Sequence, residues 1–286
     1  MQKEAITLKS NLQLLQDQLA STKSWTVEQR KQTQHHLTAA KQYLDTCKNQ
    51  ASHEIDDLKQ VRAKLEKRYI KMYAAMTEMI MEDPSWTAIL EIGQKLKNNN
   101  TPTFCQSRNG LVPMYEDAVG VKPTFEQAFG EIANDTNGIV TFPSMKRMFR
   151  ALEKTAMKQN ADPNLNRADN VCDVVRGMIT YDNFTDMLNG IKAMENHKDV
   201  VIMRTKCRFS KPTSGGWMDH VSNLKFSSDR NSHVCEIQFV HKKLLVVRQQ
   251  LGGHEVYNYF RSAMELLEVH GLLGNPLQLP KPKPNR

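Results

Sequence analysis

The chain has 286 residues, of which 40% are hydrophobic and 24% charged, a globular balance that excludes disorder throughout and any collagen-like or low-complexity architecture. No window approaches the roughly 18 apolar residues that a membrane helix needs. MQKEAITLKS lacks the apolar core of a secretory signal, so a soluble, unexported, cytoplasmic chain is expected. The net charge of +8 gathers toward the C-terminus, with 13 cations against 6 acids over 201–286 and 11 against 13 over 101–200. Such a bias suits an anionic ligand or nucleic acid, and equally suits plain solubility. Cys47, Cys105, Cys172, Cys207 and Cys235 form no C-x-x-C pair, which argues against both a zinc site and a disulfide framework.

Residues 1–97 read as a helical region, broken only by Pro84 and Gly93 and rich in Gln, Lys, Glu, Ala and Leu. Leu8, Leu12, Leu15 and Leu19 form one apolar stripe, and Leu58, Val61, Leu65, Tyr69 and Met72 another. The pattern lapses around Gln29–Gln34, so a helical hairpin or bundle fits better than a continuous coiled coil. These helices could pack on the rest of the chain, or offer a surface for self-association or a protein partner. Asp83 and Pro84 stop one helix, and residues 98–139, opening on Asn98-Asn99-Asn100-Thr101-Pro102, read as a linker with short helices. From residue 140 β-branched runs alternate with helical patterns. Strands are expected over Val171–Tyr181, Val200–Phe209, Trp217–Phe226 and His233–Val240, with helices over Asn183–Met194 and Gly253–Val269. The end, 273–286, rich in Pro and Lys, reads as an extended arm.

Lys146, Arg150 and Lys154 recur at i, i+4, i+8. Stacked like charges cost about 0.2–0.5 kcal/mol per pair on a helix, so the row suits a polyphosphate, unless it is a solvated face partly neutralised by Glu153. Asp173 stands inside an otherwise apolar strand, and alternation in Cys235-Glu236-Ile237-Gln238-Phe239 sends Glu236 and Gln238 to the face opposite Ile237. Two neighbouring strands would let Asp173 and Glu236 share a divalent cation; each acid alone could equally serve a salt bridge. Lys211-Pro212-Thr213-Ser214-Gly215-Gly216-Trp217 reads as a flexible loop ending in an indole that could stack on a base or belong to the core, with Asp219 and Asn223 on the same strand face. His254, Tyr257 and Arg261 form a polar stripe on the last expected helix.

The order of these features, K-x-x-x-R-x-x-x-K, D-V-V-R-G-M-I, K-x-x-x-x-G-W, E-I-Q and H-x-x-Y, resembles the synthetase domain of the RelA/SpoT family, the pyrophosphokinases that make guanosine tetra- and pentaphosphate. The resemblance covers about 140–272. It implies an α+β fold with a mixed β-sheet of nucleotidyltransferase type flanked by helices, in a small stand-alone protein. It also implies transfer of pyrophosphate from ATP to a ribose 3′-hydroxyl with Mg2+, the acceptor being GDP, GTP or a tRNA 3′ end. Asp173 would match the magnesium-binding aspartate and Glu236 the glutamate of E-I-Q. Lys146, Arg150 and Lys154, with Arg176, would meet phosphates. Lys211 would match the lysine of the loop before the acceptor site, and Trp217 the family's stacking tyrosine. Gln238, His241, His254 and Tyr257 would line the acceptor side, and Asn223 is a further candidate for binding substrate. The family's D-x-x-G-x-R has Arg176 at its glycine and Met178 at its arginine, and G-Y-x-x-x-H has Val221 where histidine is expected and His220 one residue early. A relative that binds nucleotide or RNA without turnover, and a helical scaffold, are the alternative readings.

Overall fold

The computed structural model describes residues 26–51, 71–101, 104–156, 168–213 and 216–250. The expected stripe over Leu8–Leu19, most of the one over 58–72, the helix over 253–269 and the Pro/Lys-rich arm lie outside them. The N-terminal composition does make helices: α1 spans Val27–Ala51, residues 71–81 are helical, and α2 spans Trp86–Asn98. The turn between the last two falls at Asp83 and Pro84, where Asp83 accepts from the N–H of Ser85 at 2.9 Å and of Phe184 at 3.0 Å. Among the described residues no helix is long and apolar enough to cross a membrane.

Where short helices were expected, α3 runs unbroken over Leu111–Asp135. Gly120, Pro123 and Gly130 lie inside it, and such residues cost about 1 kcal/mol for Gly and 3 for Pro in a helix interior. Val112, Tyr115, Ala118, Val121, Phe125, Phe129 and Ile132 recur at helical spacing and are all buried. Burying a large apolar side chain contributes about 1.5–3 kcal/mol, so the face outweighs the breakers.

The rest is β1 (Ile139–Thr141), α4 (Met148–Ala156), β2 (Arg176–Tyr181), α5 (Phe184–Glu195), β3 (Val200–Cys207), β4 (His220–Phe226), β5 (Cys235–His241) and α6 (Lys242–Gln250). The strands form one mixed sheet in the order β1-β2-β5-β4-β3, in which only β2 and β5 run parallel. With its flanking helices this is the α+β architecture the resemblance implies. Strand β2 begins at Arg176 rather than Val171: the Val174 carbonyl turns away to the N–H of Lys146 (3.0 Å), and that of Val175 accepts from the N–H of Glu236 (2.9 Å) as the first rung of the β2–β5 pairing.

One sheet face carries the core. Ile179, Tyr181, Ile237 and Phe239 are buried with Phe184, Met187 and Ile191 of α5 and Phe125, Phe129 and Ile132 of α3. Helix α5 starts where Asn183 accepts from the N–H of Asp186 at 2.8 Å, with Asp186 in the first turn where a carboxylate favours the helix dipole. It lies so close to the sheet that a Cβ on Gly190 would stand 2.1 Å from the Tyr181 hydroxyl. The outer edge of β3 is covered too. Asn100 accepts from the N–H of Thr205 at 2.7 Å and donates to its carbonyl at 3.1 Å, and Thr101 donates twice to the Met203 carbonyl.

Candidate active site

The other sheet face is polar and, among the described residues, half-exposed at Arg176, Glu236 and Gln238. Register sets Arg204 of β3 beside Asn223 of β4, Asn223 beside Glu236 of β5, and Glu236 beside Arg176 of β2. In-register partners project to the same side, so the row reads cation, amide, acid, cation. The next row runs Lys206, Val221, Gln238, Met178. Gln238 donates to Glu236 at 3.0 Å, two residues along the strand. Strands β2 and β5 are thus neighbours, the condition on which the two acids could share an ion, and Glu236 and Gln238 lie on one face as alternation implied.

Asp173 sits in the turn leading into β2, not inside the strand. Its carboxylate is buried and takes Lys146 at 2.8 Å on one oxygen and Lys154 at 3.1 Å on the other. Burial pushes its pKa up, but the fields of Lys154 and Lys146 outweigh that and hold the carboxyl well below the usual range. Lys146 is itself pulled down by burial, against the opposing attraction of Asp173. Lys146 also precedes α4 rather than belonging to it, since its N–H goes to Val174 and its carbonyl accepts from the Tyr115 hydroxyl. Only Arg150 and Lys154 of the expected row are helical, and Arg150 is ion-paired to Glu153 on the same helix.

Three cations of β3 and its end were missed from sequence: Arg204, Lys206 and Arg208. Strand alternation was their one signal, since i, i+2, i+4 lie on one face of an extended chain. Arg204 stacks on Phe104, 4.1 Å from the ring centre. Its pKa is lowered by desolvation first, and the fields of both Glu236 and Asp173 act on it in the opposite sense. Both acids therefore stand within electrostatic reach of one guanidinium. Lys206 is lowered to about 8, by desolvation first and then by Arg204 and Arg208.

Trp217 is not an exposed platform. It is buried edge-on to Tyr73, ring centres 6.1 Å apart, and its indole N–H donates to Asp219 at 2.9 Å. Gly216 takes a left-handed φ of 84° there, and a Cβ on it would lie 3.1 Å from that of Tyr73. The fully buried Asp219 also accepts from Arg208 at 2.9 Å, so one acid draws in both the indole and the guanidinium. His241 is likewise displaced from the expected acceptor side. Period-2 alternation puts it with Ile237 and Phe239 on the core face, against the Phe184 ring at 4.9 Å, where burial lowers its pKa. His220 faces the core too, pushed down to about 4 by burial, so it does not replace the histidine missing at Val221. Asn223 is buried and hydrogen-bonded within the protein, whereas Lys211 is exposed. His254 and Tyr257 lie outside the described residues.

Magnesium takes oxygen ligands, and in phosphate sites one or two carboxylates plus phosphate oxygens commonly hold it. Asp173 and Glu236 fit that donor chemistry. Among the described residues no group of three or more His, Cys, Asp or Glu converges, so further ligands would come from phosphate or water.

No protein-family model and no curated protein matches the chain. Among solved structures it is similar to the small alarmone synthetase 1 from Bacillus subtilis bound to its product pppGpp, at 14% identity over 57% of this chain and 89% of that one, with a TM-score of 0.39. It is also similar to the small alarmone synthetase 2 from Bacillus subtilis (13% identity, 57% and 94% covered, TM-score 0.36). A third similar structure is a GTP pyrophosphokinase family protein from Streptococcus pneumoniae (14% identity, 57% and 90% covered, TM-score 0.37).

Proposed function

We propose that the chain transfers pyrophosphate from ATP to the ribose 3′-hydroxyl of an acceptor nucleotide, GDP, GTP or the 3′ end of a tRNA. The supporting observation is the polar sheet face, where Glu236 lies in register with Arg176 and, across Asn223, two strands from Arg204, a guanidinium on which the field of Asp173 also acts. Polyphosphate carries the negative charge that Lys146, Lys154, Arg176, Arg204, Lys206 and Arg208 would neutralise. Glu236 accepts the proton of the 3′-hydroxyl as its oxygen attacks the β-phosphorus of ATP, the bond from that phosphorus to the α,β-bridging oxygen breaks, and AMP leaves with that oxygen. Asp173 and Glu236 are the residues that would hold Mg2+, which when bound would supply charge neutralisation at the phosphates.

The test is AMP release and transfer of label from γ-labelled ATP, with magnesium, to GDP, GTP and total tRNA offered in parallel. Label on one acceptor in the wild type, lost in Glu236→Gln while ATP still binds, is the expected result. The saturation of Asp173 by two lysines and the burial of Trp217 favour a second reading, a nucleotide- or RNA-binding relative without turnover. Bound ATP with no AMP released for any acceptor selects it.

A further inference from the structure

Asn223 of β4 is the most constrained side chain of the polar face. It is 2% exposed, and each end of its amide has a partner that admits no alternative. The Oδ1 atom accepts from Arg204 twice, from Nε at 3.2 Å and Nη2 at 2.9 Å. The Nδ2 atom donates to the Cys172 carbonyl at 3.1 Å, one residue before Asp173. Guanidinium only donates and a carbonyl only accepts, so an amide is required and its orientation is fixed by chemistry. Aspartate would face the Cys172 carbonyl with an oxygen and add a second acid beside Glu236; leucine would satisfy neither partner.

From this we infer that Asn223 is a positioning residue, not a substrate contact: it holds the Arg204 guanidinium in one plane and ties it to the backbone that carries Asp173. Nε and Nη2 form the side edge of the guanidinium fork. With that edge bound to Asn223 and one face covered by Phe104, the end-on edge is presented to a phosphate in a fixed direction. Because the same amide grips the Cys172 carbonyl, seating phosphate on Arg204 and placing Asp173 become one event. The inference rests on the polar face being a polyphosphate site, as proposed above.

The test is a double-mutant cycle on the full chain, Asn223→Leu with Arg204→Met, read as the dissociation constant for inorganic tripolyphosphate and as kcat and KM for label transfer. Hydrogen bonds to a charged group set the scale, so each single variant is expected to bind about tenfold more weakly. The double variant is expected to bind no worse than Arg204→Met alone, because Asn223 acts through Arg204. In label transfer Asn223→Leu lowers kcat as well as raising KM, through Asp173. A merely structural role gives additive losses, or a lowered melting temperature with unchanged affinity, and either overturns the inference. Should Asn223→Leu fail to fold, Arg204→Lys decides: it keeps the charge and loses the fork, and wild-type affinity in it overturns the inference. Wild-type protein that binds tripolyphosphate with a non-additive cycle but transfers no label refutes the proposed reaction and leaves the inference standing. Transfer with additive losses does the reverse, and wild-type protein that binds no polyphosphate refutes both.

Discussion

Replacing Asp173 by Asn would remove the one acid that neutralises two lysines. The side chains of Asp173 and Lys146 are 11% and 10% exposed and that of Lys154 is 40%. Breaking a buried pair from one side costs about 3–5 kcal/mol. Solvent screens Lys154, so only the Lys146 share carries the full penalty, and the expected loss is about 2–3 kcal/mol. For a chain of this size that lowers the melting temperature by about 5–10 °C. Adding Lys146→Met should restore at least half of it, because removing both members of a buried pair is often close to neutral. The pH dependence has a definite sign. Since the folded-state pKa of Asp173 is depressed, its contribution is complete above the unfolded value of about 3.9 and is lost as pH falls below it. The gap between wild type and Asp173→Asn should therefore be constant near neutral pH and begin to narrow only below about pH 4. Calorimetric melting of the three variants from pH 3 to 8 measures this. An Asp173→Asn protein as stable as wild type at pH 7, or a double variant showing the sum of two losses, would refute the reasoning.

Two further outcomes are expected. The lowered pKa of Lys206, about 8, means that its ammonium is partly lost in mild base, and a bound anion restores it. Affinity for tripolyphosphate should fall from pH 7 to 9 with proton uptake on binding, which calorimetry in buffers of different ionisation enthalpy detects; affinity flat over that range in wild type would contradict it. Gly190→Ala puts a methyl 2.1 Å from the Tyr181 hydroxyl and should cost about 1–3 kcal/mol by overpacking, part of which Tyr181→Phe returns. An unchanged melting temperature for Gly190→Ala would show that α5 can move away freely.

The sequence was most legible where one period governs the chain. Alternation placed Glu236 and Gln238 together on the correct face, and the β-branched runs located the four strands from β2 onward to within a few residues. What it could not carry is pairing over distance. Helix α3 was obscured because Gly120, Pro123 and Gly130 speak against it locally, while the partners that bury Phe125 and Phe129 come from strands tens of residues away. Trp217 was open to two readings because its neighbour Tyr73 lies 144 positions upstream. The Lys146 case differs again: spacing suggested a shared helix, and the helix begins after it, yet Lys146 and Lys154 still meet, through Asp173. The cations of β3 went unread because a single strand gives no hint that it faces an acid two strands over.

The pairing of Asn100 and Thr101 with β3 bears on how the protein can be dissected. A sheet edge with unpaired N–H and C=O groups is a template for another chain, and natural proteins cover or blunt such edges. Here the covering residues belong to the segment that leads out of α2, so trimming at residue 102 would strip the border from the longest strand in the sheet. The same cut would remove Tyr73 from Trp217 and Gly93 from Cys207, baring apolar surface beside the opened edge. A fragment confined to the α+β unit would be an aggregating one, and the helices ahead of it are better regarded as its missing wall than as a separable module.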